Sequence, residues 1–84
     1  MARYIALFPV GAEVRVVRQE RLEEFRRTWG QHHPLLEEQI PHGGSIARIA
    51  TVSFYHGAAL YTLENVPGIW HEVCLAPAHT SHAV

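Results

Sequence analysis

Glu13, Val14, Arg15 and Val16 alternate polar and apolar, the two-residue period of a strand that buries one face, with Val14 and Val16 directed inward. The period then changes. Leu22, Phe25 and Trp29 fall on one stripe of an amphipathic helix running from Arg18 to Trp29, with Glu and Arg on its other faces. Glu23 stands four residues ahead of Arg27, the spacing of a helix-surface ion pair, and Gly30 stands where a left-handed C-cap would end the helix. Before these elements, Ala2–Phe8 is rich in strand formers and stops at Pro9, which suits a first strand or a packed N-terminal arm.

The segment QHHPLLEEQIPHGGS has no strand period. Within it Pro34 and Pro41 bracket Leu35–Ile40 and Gly43-Gly44 permit a reversal, so it reads as a long excursion with one short helical turn. Beyond it the chain reads as sheet. Ile46–Tyr55 is a long strand, HGA a turn, ALYTLE a returning strand, NVPG a second turn and IWHEVCL a last strand. In that last turn Pro67 and Gly68 suit the central positions of a type II turn. Strand alternation would put Trp70, Glu72 and Cys74 on one face and Ile69, His71, Val73 and Leu75 on the other. The expected core is Val14, Val16, Leu22, Phe25, Ile49, Val52, Leu63 and Val73. Residues 79–84 have no period and read as a loose C-terminal tail.

Composition narrows the class. The 84 residues are enough for a single domain, 1–84, and 48% hydrophobic against 18% charged side chains is the balance of a folded protein. All seven basic residues are Arg and all eight acids are Glu, which leaves a formal charge of −1 and no global field for nucleic acid. The apolar runs are too short for a membrane-spanning helix. A lone Cys74 cannot close an intramolecular disulfide, and no leader-like start is evident, so a cytoplasmic location is expected. Seven histidines make the charge sensitive to mildly acidic pH.

The meander, with Gly44, Ile46, Ile49, Tyr61, Leu63, Glu72, Leu75 and Pro77 at its marked positions, resembles the small bacterial SH3-like barrels. In those proteins a long loop follows the first strand, a G-x-I/V-x-x-V run opens the meander, a Y-x-L/V strand returns, and an acid followed by x-x-L-x-P closes the sheet. Nitrile hydratase β-chains and ribosome-associated KOW segments are similar in this way. The likeness spans residues 12–78 and implies a mainly β, five-stranded SH3-like barrel; the amphipathic helix read from the apolar stripe, inserted after an early strand, departs from a minimal barrel of this kind.

Three constellations compete for chemistry. The five histidines His32, His33, His42, His56 and His71 lack the spacing of a zinc site, so no metal and no cofactor is expected. Cys74 and His71 would diverge on opposite strand faces, which argues against a Cys–His nucleophile, and no catalytic residue is assigned. Tyr55, His56, Tyr61, Trp70, His71 and Glu72 remain as an aromatic and histidine rim able to bind a partner, since rigid rings bury much area at little entropic cost.

These readings converge on a small non-enzymatic module that binds protein or peptide, acting as a homo-oligomer. His32, His33 and Pro34 are expected at the contact between copies, and association should weaken on acidification if those histidines sit there uncharged. Two alternatives follow from the resemblance. One is an enzyme or enzyme subunit whose active site forms between protomers, as in the plasmid-borne type II dihydrofolate reductases, whose Val-Gln-Ile-Tyr run is absent here. The other is a nucleic-acid-binding KOW-like barrel, for which Arg15, Arg18, Arg21, Arg26 and Arg27 are interleaved with Glu13, Glu20, Glu23 and Glu24.

Overall fold

The computed structural model describes residues 5–78, so the expected tail and the first residues of the N-terminal segment lie outside the described part. Over these residues the fold is mainly β, with five antiparallel strands and one α-helix: β1 Glu13–Val16, α1 Gln19–Thr28, β2 Ile46–Tyr55, β3 Ala58–Leu63, β4 Val66–His71 and β5 Leu75–Pro77. Two short 3₁₀ helices interrupt it, Glu37–His42 in the long excursion and Glu72–Cys74 between β4 and β5. The strand order is β4-β3-β2-β1-β5. The edge strands β4 and β5 do not pair with each other, so the sheet is open.

Strand β2 serves both halves of the sheet. Its first residues pair with β1, Glu13 opposite Arg48 and Arg15 opposite Ile46, and its later residues pair with β3. Between Ile49, opposite Leu63, and Thr51, opposite Thr62, Ala50 is an extra residue and forms a bulge. A bulge bends the strand and increases its twist. Here it also moves the inward positions from Ala47 and Ile49 to Val52, which packs partly buried against the core.

The hairpin from β2 to β3 turns at His56 and Gly57, with φ of 52° and 83°. Two successive positive φ values make the tight two-residue turn whose twist matches that of the strands. The next hairpin turns at Glu64 and Asn65, with Asn65 at φ 62°, and not at Pro67-Gly68 as the sequence suggested. Pro67, Gly68 and Ile69 instead lie inside β4, where the register opposes them to Thr62 alone. Gly68 holds φ 98°, and a Cβ there would come 2.5 Å from the side-chain nitrogen of Gln39. The glycine is thus required by backbone conformation and by the close passage of the excursion across β4.

Gln39 makes that passage specific. It is almost wholly buried, its Oε1 accepts from the Leu36 N–H at 2.8 Å and its Nε2 donates to the Ile69 carbonyl at 3.1 Å. The first bond satisfies the start of the 3₁₀ helix in the manner of a capping box, and the second fastens the excursion to β4.

Helix α1 begins one residue after the expected start and releases at Trp29, whose backbone is extended and whose N–H still donates to Phe25. Gly30 is not left-handed, so the expected C-cap is replaced by this extended exit. Glu20 near the N-terminus and Arg26 and Arg27 in the last turn complement the helix dipole. Among the described residues the one ion pair is the exposed Arg18–Glu20 at 3.8 Å, and the Glu23–Arg27 pair is not formed.

Of the expected core, Val14, Val16, Leu22, Ile49 and Leu63 are buried, while Phe25 and Val52 pack partly buried at its margin. Val73 is 61% exposed. The inward phase of the strand is taken by Trp70, which already directs Val73 outward, and the three-residue turn of the second 3₁₀ helix then allows Cys74 and Leu75 both to be buried. Leu22→Ala should therefore lower the unfolding free energy by about 2–5 kcal/mol, whereas Val73→Ala should change it by less than about 0.5 kcal/mol, as measured by urea titration. A large loss at Val73 would instead place its side chain in the core.

Candidate functional site

Seven rings from four segments meet at one end of the sheet. Phe25 comes from the last turns of α1 and Trp29 from its extended exit, His32 and His33 from the chain just beyond, Tyr55 and His56 from the end of β2 and its turn, and His71 from the end of β4. Phe25 and Trp29 stack at 5.3 Å between centroids, and each lies against His71, at 5.1 and 4.9 Å. His32 touches Trp29 at 5.4 Å, His71 at 5.4 Å and Tyr55 at 4.6 Å. Tyr55 in turn packs on His33 at 5.2 Å and on His56 at 4.3 Å. These edge-on and tilted contacts are the favoured geometries of aromatic pairs.

Three polar contacts hold the group together. The Trp29 indole N–H donates to the His32 carbonyl at 2.6 Å, and His71 Nε2 lies 2.8 Å from the His33 carbonyl. A carbonyl only accepts, so the His71 proton is on Nε2. The Nδ1 atoms of His32 and His33 stand 2.9 Å apart, so one ring donates and the other accepts, and the bond requires at least one neutral imidazole. His33 holds φ 50°, a left-handed conformation that costs a residue with a Cβ about 1–2 kcal/mol, and the contacts around it maintain that conformation.

Protonation is disfavoured at the centre of this group. Removal from water, then the charges that His33, His71 and His56 would carry, hold His32 below the ordinary histidine value of 6.5.

The residues expected to form one binding rim divide into two sets. Tyr55, His56 and His71 join the ring cluster, together with His32 and His33, which the sequence placed at a contact between copies; Pro34 is exposed beside them. Tyr61 and Trp70 lie in the core instead, each at most 1% exposed, because β3 and β4 pair them across the inner face. The Trp70 indole nitrogen is buried without a hydrogen-bond partner among the described residues. Glu72 accepts at Oε2 from the Tyr61 hydroxyl and, at 2.8 Å, from the Leu7 N–H. Phe8 completes this clasp, its N–H donating to the Tyr61 oxygen at 3.3 Å and its ring meeting Tyr61 edge-on at 5.8 Å. Burial, and then the bond to Glu72, keep the Tyr61 phenol above its ordinary value of 10.0.

Phe25 and Trp29 were legible in the sequence as a helix stripe but not as members of the site. A stripe of that spacing points equally to core, and only the position of the helix end over β4 exposes its last turn. Cys74 is 1% exposed and packs in the core, and burial pushes its thiol up to about 12. Among the described residues no three His, Cys, Asp or Glu side chains are grouped to hold a metal ion, and no helix is long and apolar enough to cross a membrane. A cavity of about 680 Å³ between α1 and the first 3₁₀ helix has no aromatic residue in its described lining, where Arg26 and Arg27 stand beside Glu23 and Glu37, so its charges offset one another.

Comparison with protein-family models, with curated proteins and with solved structures gives no match, so the functional reading rests on this geometry.

Two outcomes follow from the protonation chemistry. The folded state resists a proton at His32 that the unfolded chain accepts near pH 6.5, so stability is full above that value and declines as pH falls below it. Urea midpoints at pH 7.5 and 5.5 should show this decline, and His32→Asn should reduce it. Cys74 in the native protein should resist alkylation by iodoacetamide at pH 8 and react only after unfolding.

Proposed function

We propose that this chain is a small SH3-like barrel that acts as a non-enzymatic interaction module, binding a protein or peptide partner at the ring cluster. The strand order, the sharing of a bulged β2 between two halves of the sheet, and the 3₁₀ turn separating β4 from β5 support the barrel reading. The observation that carries the binding reading is the convergence of Phe25, Trp29, His32, His33, Tyr55, His56 and His71 into one contiguous group of rings, with Tyr55 43% exposed. Clusters of rigid rings at a surface bury much area on binding and are common hot spots. Left-handed backbone at His33 supports the same reading, because such strain persists where a fixed geometry is required.

Self-association belongs to this proposal. Ile5, Leu7, Val10 and Val73 are each more than 60% exposed, and a second copy would cover such surface.

The test is selection of peptides from a random library on the immobilised protein, followed by calorimetry of the enriched sequences. Tyr55→Ala and His32→Ala should each weaken binding by about tenfold or more, the effect of truncating a hot-spot ring. Binding that is unchanged in both variants, or a library that yields no binder, removes the reading.

A further inference from the structure

Beside the ring cluster lies a cleft of about 320 Å³, bounded by the last turn of α1, the turn into β3 and the His71–Val73 segment. Its aromatic side is formed by Phe25, Trp29 and His71, and exposed Ile5 and Val73 stand at its apolar margins. Among the described lining residues Glu72 is the one carboxylate, and none is an arginine.

The carboxylate is positioned, and no described residue compensates its charge. Two donors, the Tyr61 hydroxyl and the Leu7 N–H, converge on Oε2. Among the described residues no arginine forms an ion pair with Glu72, and no hydrogen bond occupies Oε1. A negative charge held at the edge of a group of ring faces is a complement for a cation. Ring faces attract positive charge through their quadrupoles, and the carboxylate adds a charge-assisted hydrogen bond. The apolar margins suit the methylene stem of a long basic side chain, which buries its carbons while its head group remains polar. A volume of about 320 Å³ is at the lower end for ligand pockets, enough for one side chain.

We infer that this cleft takes an arginine or lysine side chain of the partner peptide, with the charged head between the Trp29 and Phe25 rings and the Glu72 carboxylate. The inference rests on the reading of the ring cluster as a peptide-binding face and names the chemistry of its ligand. An acidic or purely aliphatic side chain gains nothing from Glu72, so the cleft discriminates by charge.

The experiment uses blocked tripeptides, acetyl-Ala-X-Ala-amide with X as arginine, lysine, norleucine or glutamate, titrated into the ¹⁵N-labelled full chain. Arginine and lysine peptides should shift the amides of residues 57–59 and 71–73 and the Trp29 indole, with norleucine weaker by about fivefold to tenfold and glutamate weaker still. Glu72→Gln keeps an amide oxygen to accept from Leu7 and should bring the arginine peptide down to the norleucine level. Val73→Arg, at an exposed position, sets a competing cation at the margin and should weaken the arginine peptide without unfolding the chain. Equal binding of arginine and norleucine peptides, arginine binding unaffected by both substitutions, or no binding of any tripeptide overturns the inference. Library peptides that bind through Tyr55 and His32 but lack basic residues would overturn it while leaving the proposed function in place.

Discussion

A single turn of 3₁₀ helix at Glu72–Cys74 determines how this small chain closes its core and where it presents its chemistry. Without that turn the last strand would continue past His71 in simple alternation, and Cys74 and Leu75 could not both face inward. The turn redirects the chain so that the Cys74 carbonyl accepts from Val17 at 3.0 Å and Leu75–Pro77 pairs with β1, Val16 opposite Leu75. It also leaves Val73 outward and brings Glu72 to Tyr61 and Leu7. One local departure from strand geometry thus supplies an edge strand, an anchor for the N-terminal arm and the carboxylate of the cleft.

The long excursion between α1 and β2 is ordered by a few polar contacts more than by secondary structure. Gln39 fastens its 3₁₀ helix to Ile69, and His71 fastens its start to the His33 carbonyl. A buried polar group left without its partner costs about 1–3 kcal/mol, so each of these contacts strongly favours one path for the loop. The same contacts connect the site to the core. His71 follows Trp70, which is fully buried against the inner face, and its ring contacts both Phe25 and Trp29. The ring cluster is therefore held by the sheet, which gives it the rigidity a binding surface needs to limit entropic loss.

Histidine chemistry and aromatic packing reinforce one another here. The His32–His33 contact needs a neutral ring, and partial removal of His32 from water favours the same state. Uncharged imidazoles behave as flat, polarisable surfaces and stack with Tyr55 and Trp29, whereas imidazolium ions so close together would repel. With its imidazoles uncharged the cluster is an aromatic surface, with the Glu72 carboxylate beside it in the cleft.

The sequence by itself determined the elements whose signal is local. Alternation at Glu13–Val16, the Leu22, Phe25 and Trp29 stripe, and the β-rich runs from Ile46 to Leu63 each depend on periodicity within a few residues, and the strands and helix lie there. The His56-Gly57 turn was legible for the same reason, since a tight turn is specified by its own residues. Where Pro67 and Gly68 belong was decided by tertiary structure: the close approach of Gln39, thirty residues away in the chain by its bond to Ile69, accounts for the left-handed glycine inside β4 better than a hairpin does. The fates of Tyr61, Trp70 and Val73 were likewise decided by register and by the 3₁₀ turn, because a one-residue change of phase exchanges inside and outside. His32 and His33 read as a contact with another copy, and Tyr55, His56 and His71 as a rim. Only the folded chain brings those two groups onto one face, since their adjacency depends on the path of a loop that carries no period of its own.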